Sequence, residues 1–261
     1  MKKIIKPKDL IFIIKKNINN LNYYWSKKIK NYNSKSKDRL DPVTILDTKI
    51  EKLIRSLIGK HFPNHSIVGE EFASKFIKGS KYTWIIDPID GTKNLIVGLP
   101  TWSNLIGLYK NKKSILSFAN FPMLEKFYLG YNKETLVFIK KLKPKRVFSN
   151  KKITNIKEAK IAINTFNTIK NKKIFNFIKK FKGIYKITNV DAYNSCLIAE
   201  GKFDILIESG LKKVDIMPLV SIIENAGATI SDWNGNKNFD SGKILVSANK
   251  KLHKKFIKIL N

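Results

Sequence analysis

The chain has 261 residues with 43% hydrophobic content, enough for a sizeable core, and its single cysteine, Cys196, excludes an internal disulfide framework. Basic residues number 51 against 20 acids, a formal charge of +31, yet only Arg39, Arg55 and Arg146 are arginines and the lysines run along the whole chain. Base readout favours arginine's bidentate fork, so the composition argues against a dedicated nucleic-acid partner and leaves salt-sensitive, sequence-indifferent polyanion binding.

From the N-terminus, the apolar run LIFII (residues 10–14) is flanked by lysines and too short for a secretory core or a membrane span, which points to a cytoplasmic protein without a membrane partner. Helical spacing runs from Asp9 to about Lys28 and gives way to the polar run KNYNSKSKDR (30–39), read as a mobile surface loop. A second helix follows DPVT (41–44). Either Thr44 with Asp47 or Thr48 with Glu51 caps it, Ile50, Leu53, Ile54, Leu57 and Ile58 form its apolar face, and Gly59 and Pro63 end it. After the short strand SIVG (66–69) come YTWIID, SNLIGLYK, SILSFANF, KFYLGYN and TLVFIKK, strand-like runs joined by short Asn/Lys turns, which predict a largely antiparallel sheet. From about Lys160 the strands KIAIN, GIYKIT, FDILIES, ATISDW and KILVSAN alternate with helices, and a last helix starts near Lys250. The fold class is α/β, with α and β layers in two lobes of about 1–142 and 143–261 and a seam near 142–150.

The segment WIIDPIDGTKNL (84–95) carries two scarce carboxylates three residues apart. Asp87 ends a buried strand, Pro88 is expected to force the chain out of the sheet, and Gly91-Thr92 opens a helix after Asp90. Carboxylates at a strand end beside free helical N–H groups can hold a hard divalent cation and receive a phosphate oxygen. Taken alone, Asp-x-x-Asp is more often a turn former followed by a helix cap. Two further segments bring acids that shift the weight: GEE with Glu70 at the end of SIVG, and ESGLKKVDIM with Asp215 at a helix start.

Together, DPVTILD, GEE, WIIDPIDGTKN and Asp215 with IIENAGATISDW resemble the inositol monophosphatase superfamily of metal-dependent phosphomonoesterases, over about residues 10–255. The resemblance implies a sandwich of alternating α and β layers. It implies that Glu70, Asp87 and the Ile89 carbonyl hold one Mg²⁺, that Asp87, Asp90 and Asp215 hold a second, and that Glu70 helps with a third, weaker ion. The N–H groups of Gly91 and Thr92 would bind phosphate, while Asp47 and Thr92, helped by Glu70, would orient a metal-bound water for in-line attack. Asp47 has a rival reading as the acid of the capping box. The family also implies a homodimer acting on a small phosphate ester.

Within the superfamily, the run IESGLK with Asp191, Tyr193 and Glu208 looks more like the histidinol-phosphate phosphatase branch than the inositol branch. Histidinol is a cation, and Asp191 and Glu208 would offer it carboxylates; the other reading of Asp191 is a helix N-cap. The chain departs from the usual pattern at Lys213, Val214 and Ala228, and at Asn189 and Val190, where two glycines are common. Inositol-1-phosphate or a broad range of sugar phosphates are the competing substrates. A polyanion- or RNA-associated regulator on the same scaffold is the competing class. His61, His65 and His253 read as exposed and not zinc-spaced, Cys196 as core, and Trp233 with Gly235 as a strand end and turn.

Overall fold

The computed structural model describes residues 5–26, 28, 32–35, 42–165 and 168–261. The first helix, α1 (Pro7–Ser26), opens with Pro7 at the position where proline's missing N–H costs nothing. Most of the polar run at 30–39, and Asp41, lie outside the described residues; the part inside forms β1 (Asn33–Ser34), paired antiparallel with β2 (Pro42–Val43). Of the two candidate capping boxes on α2 (Ile45–His61), the one formed joins Thr44 and Asp47. The helix runs through Gly59, past its expected end, and stops where the Phe62 N–H donates to the Ile58 carbonyl at 2.7 Å.

A seven-stranded sheet follows, in spatial order β3 (Ser66–Gly69), β4 (Tyr82–Asp90), β5 (Ser103–Lys110), β6 (Lys113–Phe121), β7 (Lys126–Tyr131), β8 (Glu134–Ile139) and β9 (Lys145–Arg146), with α3 (Thr92–Ile96) between β4 and β5. Only the β3–β4 pair is parallel, as the short connections require. Pro88 does not end its strand: β4 continues to Asp90, and the proline is absorbed in a register shift between Asp87 and Asp90, where no ladder N–H is needed.

The later elements are β10 (Ile161–Ile163), α4 (Lys172–Lys180), β11 (Tyr185–Ile187), α5 (Ala192–Ala199), β12 (Ile205–Glu208), α6 (Lys213–Ile216), α7 (Val220–Asn225), β13 (Thr229–Ser231), β14 (Ile244–Ser247) and α8 (Lys250–Leu260). Their strands form a second sheet of order β11-β10-β12-β14-β13. Its inner strands β10, β12 and β14 are buried on both faces because both faces are covered, whereas the edge strand β11 is exposed. Ala162, Leu206 and Val246 point to α5 and α7, whereas Ile161, Ile163, Ile205, Ile207 and Leu245 point to α4 and α8. On the first sheet, Trp84, Ile86, Ile106 and Phe118 pack under α1 and α2, and Leu105, Ala119 and Tyr128 face α5 and α7. The expected alternation of layers is therefore present: helices, sheet, helices, sheet, helices.

Two histidines differ from expectation. His253 is buried between the hydroxyls of Ser231 (2.8 Å) and Ser247 (3.2 Å), and burial pushes its imidazole down to about 4. His65 stacks on Phe62 and Tyr82 and accepts a hydrogen bond from Trp84 Nε1 at 3.0 Å. Among the described residues, no helix is long and apolar enough to cross a membrane.

A cross-strand row of small residues, Gly107, Ser117, Gly130 and Thr135, forms a trough in the first sheet. The backbone from Met217 to Ile222 lies in it. A Cβ at Gly107 would come within 2.9 Å of Pro218 Cα, and one at Gly130 within 2.5 Å of the Ile222 nitrogen. Ser117 Oγ accepts from the Ser221 N–H at 2.9 Å, and Thr135 Oγ1 donates to the Ile222 carbonyl at 2.7 Å. The trough therefore seats the α6–α7 segment, and with it Asp215, against the sheet. Gly130→Ala is expected to lower stability by about 1–3 kcal/mol through overpacking against backbone. Gly59→Ala, in an α2 position with nothing within 4 Å, should raise it by about 0.4–1 kcal/mol. Urea midpoints at constant m-value check both; an unchanged midpoint for Gly130→Ala would contradict the close approach.

Candidate active site

The acids singled out in the sequence come together where the two sheets and the α5–α7 layer meet. Glu70 follows β3, Asp87 lies within β4 and Asp90 ends it, Glu208 ends β12, Asp191 precedes α5 and Asp215 lies in α6. A cleft of about 670 Å³ is lined by these six, by Ile89 and by Gly91 and Thr92. Asp47 does not line it. It sits fully buried behind Thr92, whose Oγ1 lies 3.2 Å from Asp47 Oδ1 and 3.0 Å from the Ile89 carbonyl. Asp47 Oδ2 accepts from the Thr44 N–H at 2.9 Å. The two readings of Asp47 thus share one carboxylate: one oxygen caps α2 and the other faces the cleft's threonine.

Gly91 is required twice. Its φ of 77° is left-handed, and an added Cβ would lie 2.7 Å from Asp191 Oδ2. Asp191 stands at the cap position of α5, with φ 44° and ψ −127°, but its side chain does not cap the helix. Its Oδ1 accepts from Asn164 Nδ2 at 2.8 Å and its Oδ2 from Asn94 Nδ2 at 3.1 Å. The first N–H of α5, from Ala192, goes instead to Asp90 Oδ2 at 3.0 Å, which also accepts from Ser103 Oγ at 3.1 Å.

Among the described residues, four buried side-chain polar atoms have no hydrogen-bond partner: Asp87 Oδ1, Glu208 Oε1, Ser209 Oγ and Thr168 Oγ1. All four residues line this cleft. Buried polar atoms are costly to leave unpaired, and their concentration in one cleft marks where a ligand's groups belong. Burial, then repulsion from Glu70, Asp90, Asp215 and Asp47, pushes the Asp87 carboxyl well above the usual range. Burial and then Asp191 and Asp215 do the same to Asp90. Burial, against the Lys212 N–H, brings Asp215 up to about 7. Burial and the nearby Asp191 raise Glu208, and burial raises Asp47 against its Thr44 bonds. The donors are all oxygen, mutually repelling and partly unpaired, which fits a hard divalent cation. They ring the cleft without closing on a point: among the described residues no three converge as a finished metal cage.

Several contributors were not anticipated. The ammonium groups of Lys35 and Lys212 each lie 3.0 Å from Glu70 Oε1. Glu51, read only as a possible capping acid, is fully buried and organises the GEEF turn: it accepts from Arg55 Nε and from the Glu71 N–H, each at 2.7 Å, while Arg55 Nη2 donates to the Phe72 carbonyl at 2.9 Å. Gly69 leaves the room for that carboxylate, since a Cβ there would overlap Glu51 Oε1. The i,i+4 spacing of Glu51 and Arg55 was the available signal. Nothing in the local pattern signalled Asn164 and Asn94.

The model of the inositol monophosphatase family matches residues 11–261. The chain belongs to that family. As a family member it is a phosphatase, a phosphoric monoester hydrolase. It is 34% identical to the bifunctional phosphatase IMPL2 of Arabidopsis thaliana over 80% of this chain, a match spanning 59% of that protein's length. It is 32% identical to a fructose-1,6-bisphosphatase/inositol-1-monophosphatase of Aquifex aeolicus, over 77% of this chain and 75% of that one. Identity to a histidinol-phosphatase of Mycobacterium tuberculosis is 27%, over 87% of each. In fold it is similar to Thermotoga maritima IMPase, with a TM-score of 0.80 at 24% identity over 97% of each chain. It is likewise similar to an IMPase/NADP phosphatase complexed with Mg²⁺ and phosphate, with a TM-score of 0.83 at 22% identity over 97% of this chain and 94% of that one.

The raised carboxyls predict a pH-dependent response to cations. A carboxyl whose pKa is higher folded than unfolded favours folding at low pH, and that contribution is lost as pH rises through the folded value, about 7 for Asp215. A bound cation removes the penalty on the ionised forms but must displace protons at lower pH. The rise in Tm caused by saturating Mg²⁺ should therefore be larger at pH 8 than at pH 6. Thermal unfolding at both pH values checks this; an equal rise, or a larger one at pH 6, would contradict it.

Proposed function

We propose that this family member is a Mg²⁺-dependent phosphomonoesterase whose substrate is L-histidinol phosphate. The observation that carries the substrate class is the unpaired, buried Glu208 Oε1 in the cleft. A buried carboxylate with one oxygen left unpaired, its charged form otherwise helped only by the Asn164 side chain, suits a cationic alcohol better than a neutral polyol, because an ammonium or imidazolium restores its ionised form. Both Asp191 oxygens are already engaged by asparagines, so ligand contact falls on Glu208 and Asp191 shapes the pocket beside Gly91.

In this reading Glu70, Asp87 and the Ile89 carbonyl would hold one Mg²⁺, and Asp87, Asp90 and Asp215 a second, with Glu70 also near a third. Bound there, Mg²⁺ neutralises phosphate charge, lowers the pKa of water and stabilises the leaving alkoxide. The N–H groups of Gly91 and Thr92 receive phosphate oxygens. Thr92 Oγ1 donates to Asp47 Oδ1 and can in turn accept a proton-bearing bond from the attacking water, so the pair orients that water and offers Asp47 Oδ1 as the end of the proton's path. The buried capping bond to Oδ2 keeps the Asp47 carboxylate from turning away. The reading goes with a single domain, its metal-binding lobe at about 1–142 and its substrate lobe at about 143–261, acting as a cytoplasmic homodimer.

A broader sugar-phosphate activity is favoured by one finding, the similarity to the Aquifex aeolicus fructose-1,6-bisphosphatase/inositol-1-monophosphatase. Phosphate release from histidinol phosphate, inositol 1-phosphate and common sugar phosphates separates the readings. The wild type should prefer histidinol phosphate. Glu208→Gln should lower kcat/KM for it by a factor that corresponds to roughly 2–5 kcal/mol, and much less for neutral esters. Preference for a neutral ester, or equal losses on both, would defeat the histidinol assignment and leave the phosphatase class standing.

A further inference from the structure

Between Asp87 and Asp90 the ladder to β5 slips: Asp87 faces Leu105 and Asp90 faces Ser103, so Pro88 and Ile89 together oppose the single residue Asn104. Such a bulge leaves main-chain groups without ladder partners, and Pro88 has no N–H to offer. Its carbonyl is taken by a side chain. Asn104 Nδ2 donates to the Pro88 oxygen at 2.7 Å. Asn104 is fully buried, and its Oδ1 accepts from Asn22 Nδ2 of α1 at 2.7 Å and from Asn120 Nδ2 of β6 at 2.9 Å. Asn120 Nδ2 also lies 3.0 Å from Asn19 Oδ1. The two donors on Oδ1 decide which end of the Asn104 amide faces the bulge.

A line of buried amides thus runs from α1 through two strands to the peptide between the two acids. Around it the same sheet face is filled by Trp84, Ile86, Ile106 and Phe118. An apolar residue at position 104 would join that packing without any amide to desolvate, but it would leave the Pro88 carbonyl unpaired. We propose that Asn104, held by Asn22 and Asn120, is a positioning residue: it fixes the bulge and so the aim of Asp87, the Ile89 carbonyl and Asp90 toward a divalent cation. The proposal rests on the cation reading of the acid cluster.

The test is a calorimetric titration of purified protein with Mg²⁺ in the absence of substrate, beside urea unfolding and steady-state kinetics. Asn104→Leu keeps the volume and removes the donor; Asn22→Leu removes one support and leaves Asn120. Asn104→Leu should weaken Mg²⁺ binding roughly 10–100-fold, the range found when a partner that holds a metal ligand is lost. Asn22→Leu should weaken it in the same direction by less. At saturating Mg²⁺ the KM for the phosphate ester should move far less than the Mg²⁺ affinity. Lowered stability with unchanged Mg²⁺ affinity in Asn104→Leu would make the amide merely structural and overturn the proposal. If Asn104→Leu does not fold, unchanged affinity in Asn22→Leu overturns it on the same ground. A wild type that binds no Mg²⁺ would defeat the underlying cation reading and the proposal with it.

Discussion

Carboxylates buried together repel one another, and the arrangement of this molecule follows from holding them in place regardless. Asp87, Asp90, Asp191, Glu208 and Asp215 all have raised carboxyls, and burial heads the causes in each case. No single element could carry five such groups toward one space, because neighbouring positions on a strand or helix diverge. Distribution over two sheets and the helices between them solves this. Asp90, Asp191 and Glu208 sit at or beside an element's end, and backbone N–H groups from Ala192 and Lys212 bond Asp90 and Asp215. Rigid layers on both sides then oppose the repulsion that would spread the group apart.

The supports reach far from the cleft. The glycine and hydroxyl trough across β5, β6, β7 and β8 seats the backbone that carries Asp215. Glu51 and Arg55, one turn apart on α2, hold the turn that carries Glu70, while the same helix presents Asp47 at its N-terminus. α2 therefore serves two edges of the site at once. The lysine excess plays a smaller part: Lys35 and Lys212 meet Glu70, and most of the other lysines among the described residues lie elsewhere on the surface.

Much of this was legible in the sequence, and the limits have physical causes. Asp87, Asp90, Glu70 and Asp215 stood out because scarce acids recur in three separate segments, which a single turn and helix cap do not explain. Short apolar, β-branched runs announced most strands of both sheets, though not β9, and the short Asn/Lys turns announced the antiparallel order. Pro88 misled because proline ordinarily leaves a ladder, whereas here a bulge absorbs it and the strand continues to Asp90. Asn104 and Asn120 fall within strands whose burial is nearly continuous, so nothing local distinguishes an amide that bonds a bulge from one that faces water. Asp47 admitted two readings because its two oxygens do two things. Histidine exposure was misjudged for His253 because its partners, Ser231 and Ser247, come from other strands.

The proposed divalent-cation site at the β4 bulge is open to a direct structural test. Crystals grown with Mn²⁺ and measured at the manganese absorption edge test it without reference to any substrate. Anomalous peaks are expected between the carboxylates of Asp87 and Asp90, with Asp215 on one side and Glu70 on the other. Peaks confined to surface carboxylates at saturating Mn²⁺, with the acids around the cleft unmoved, would contradict it.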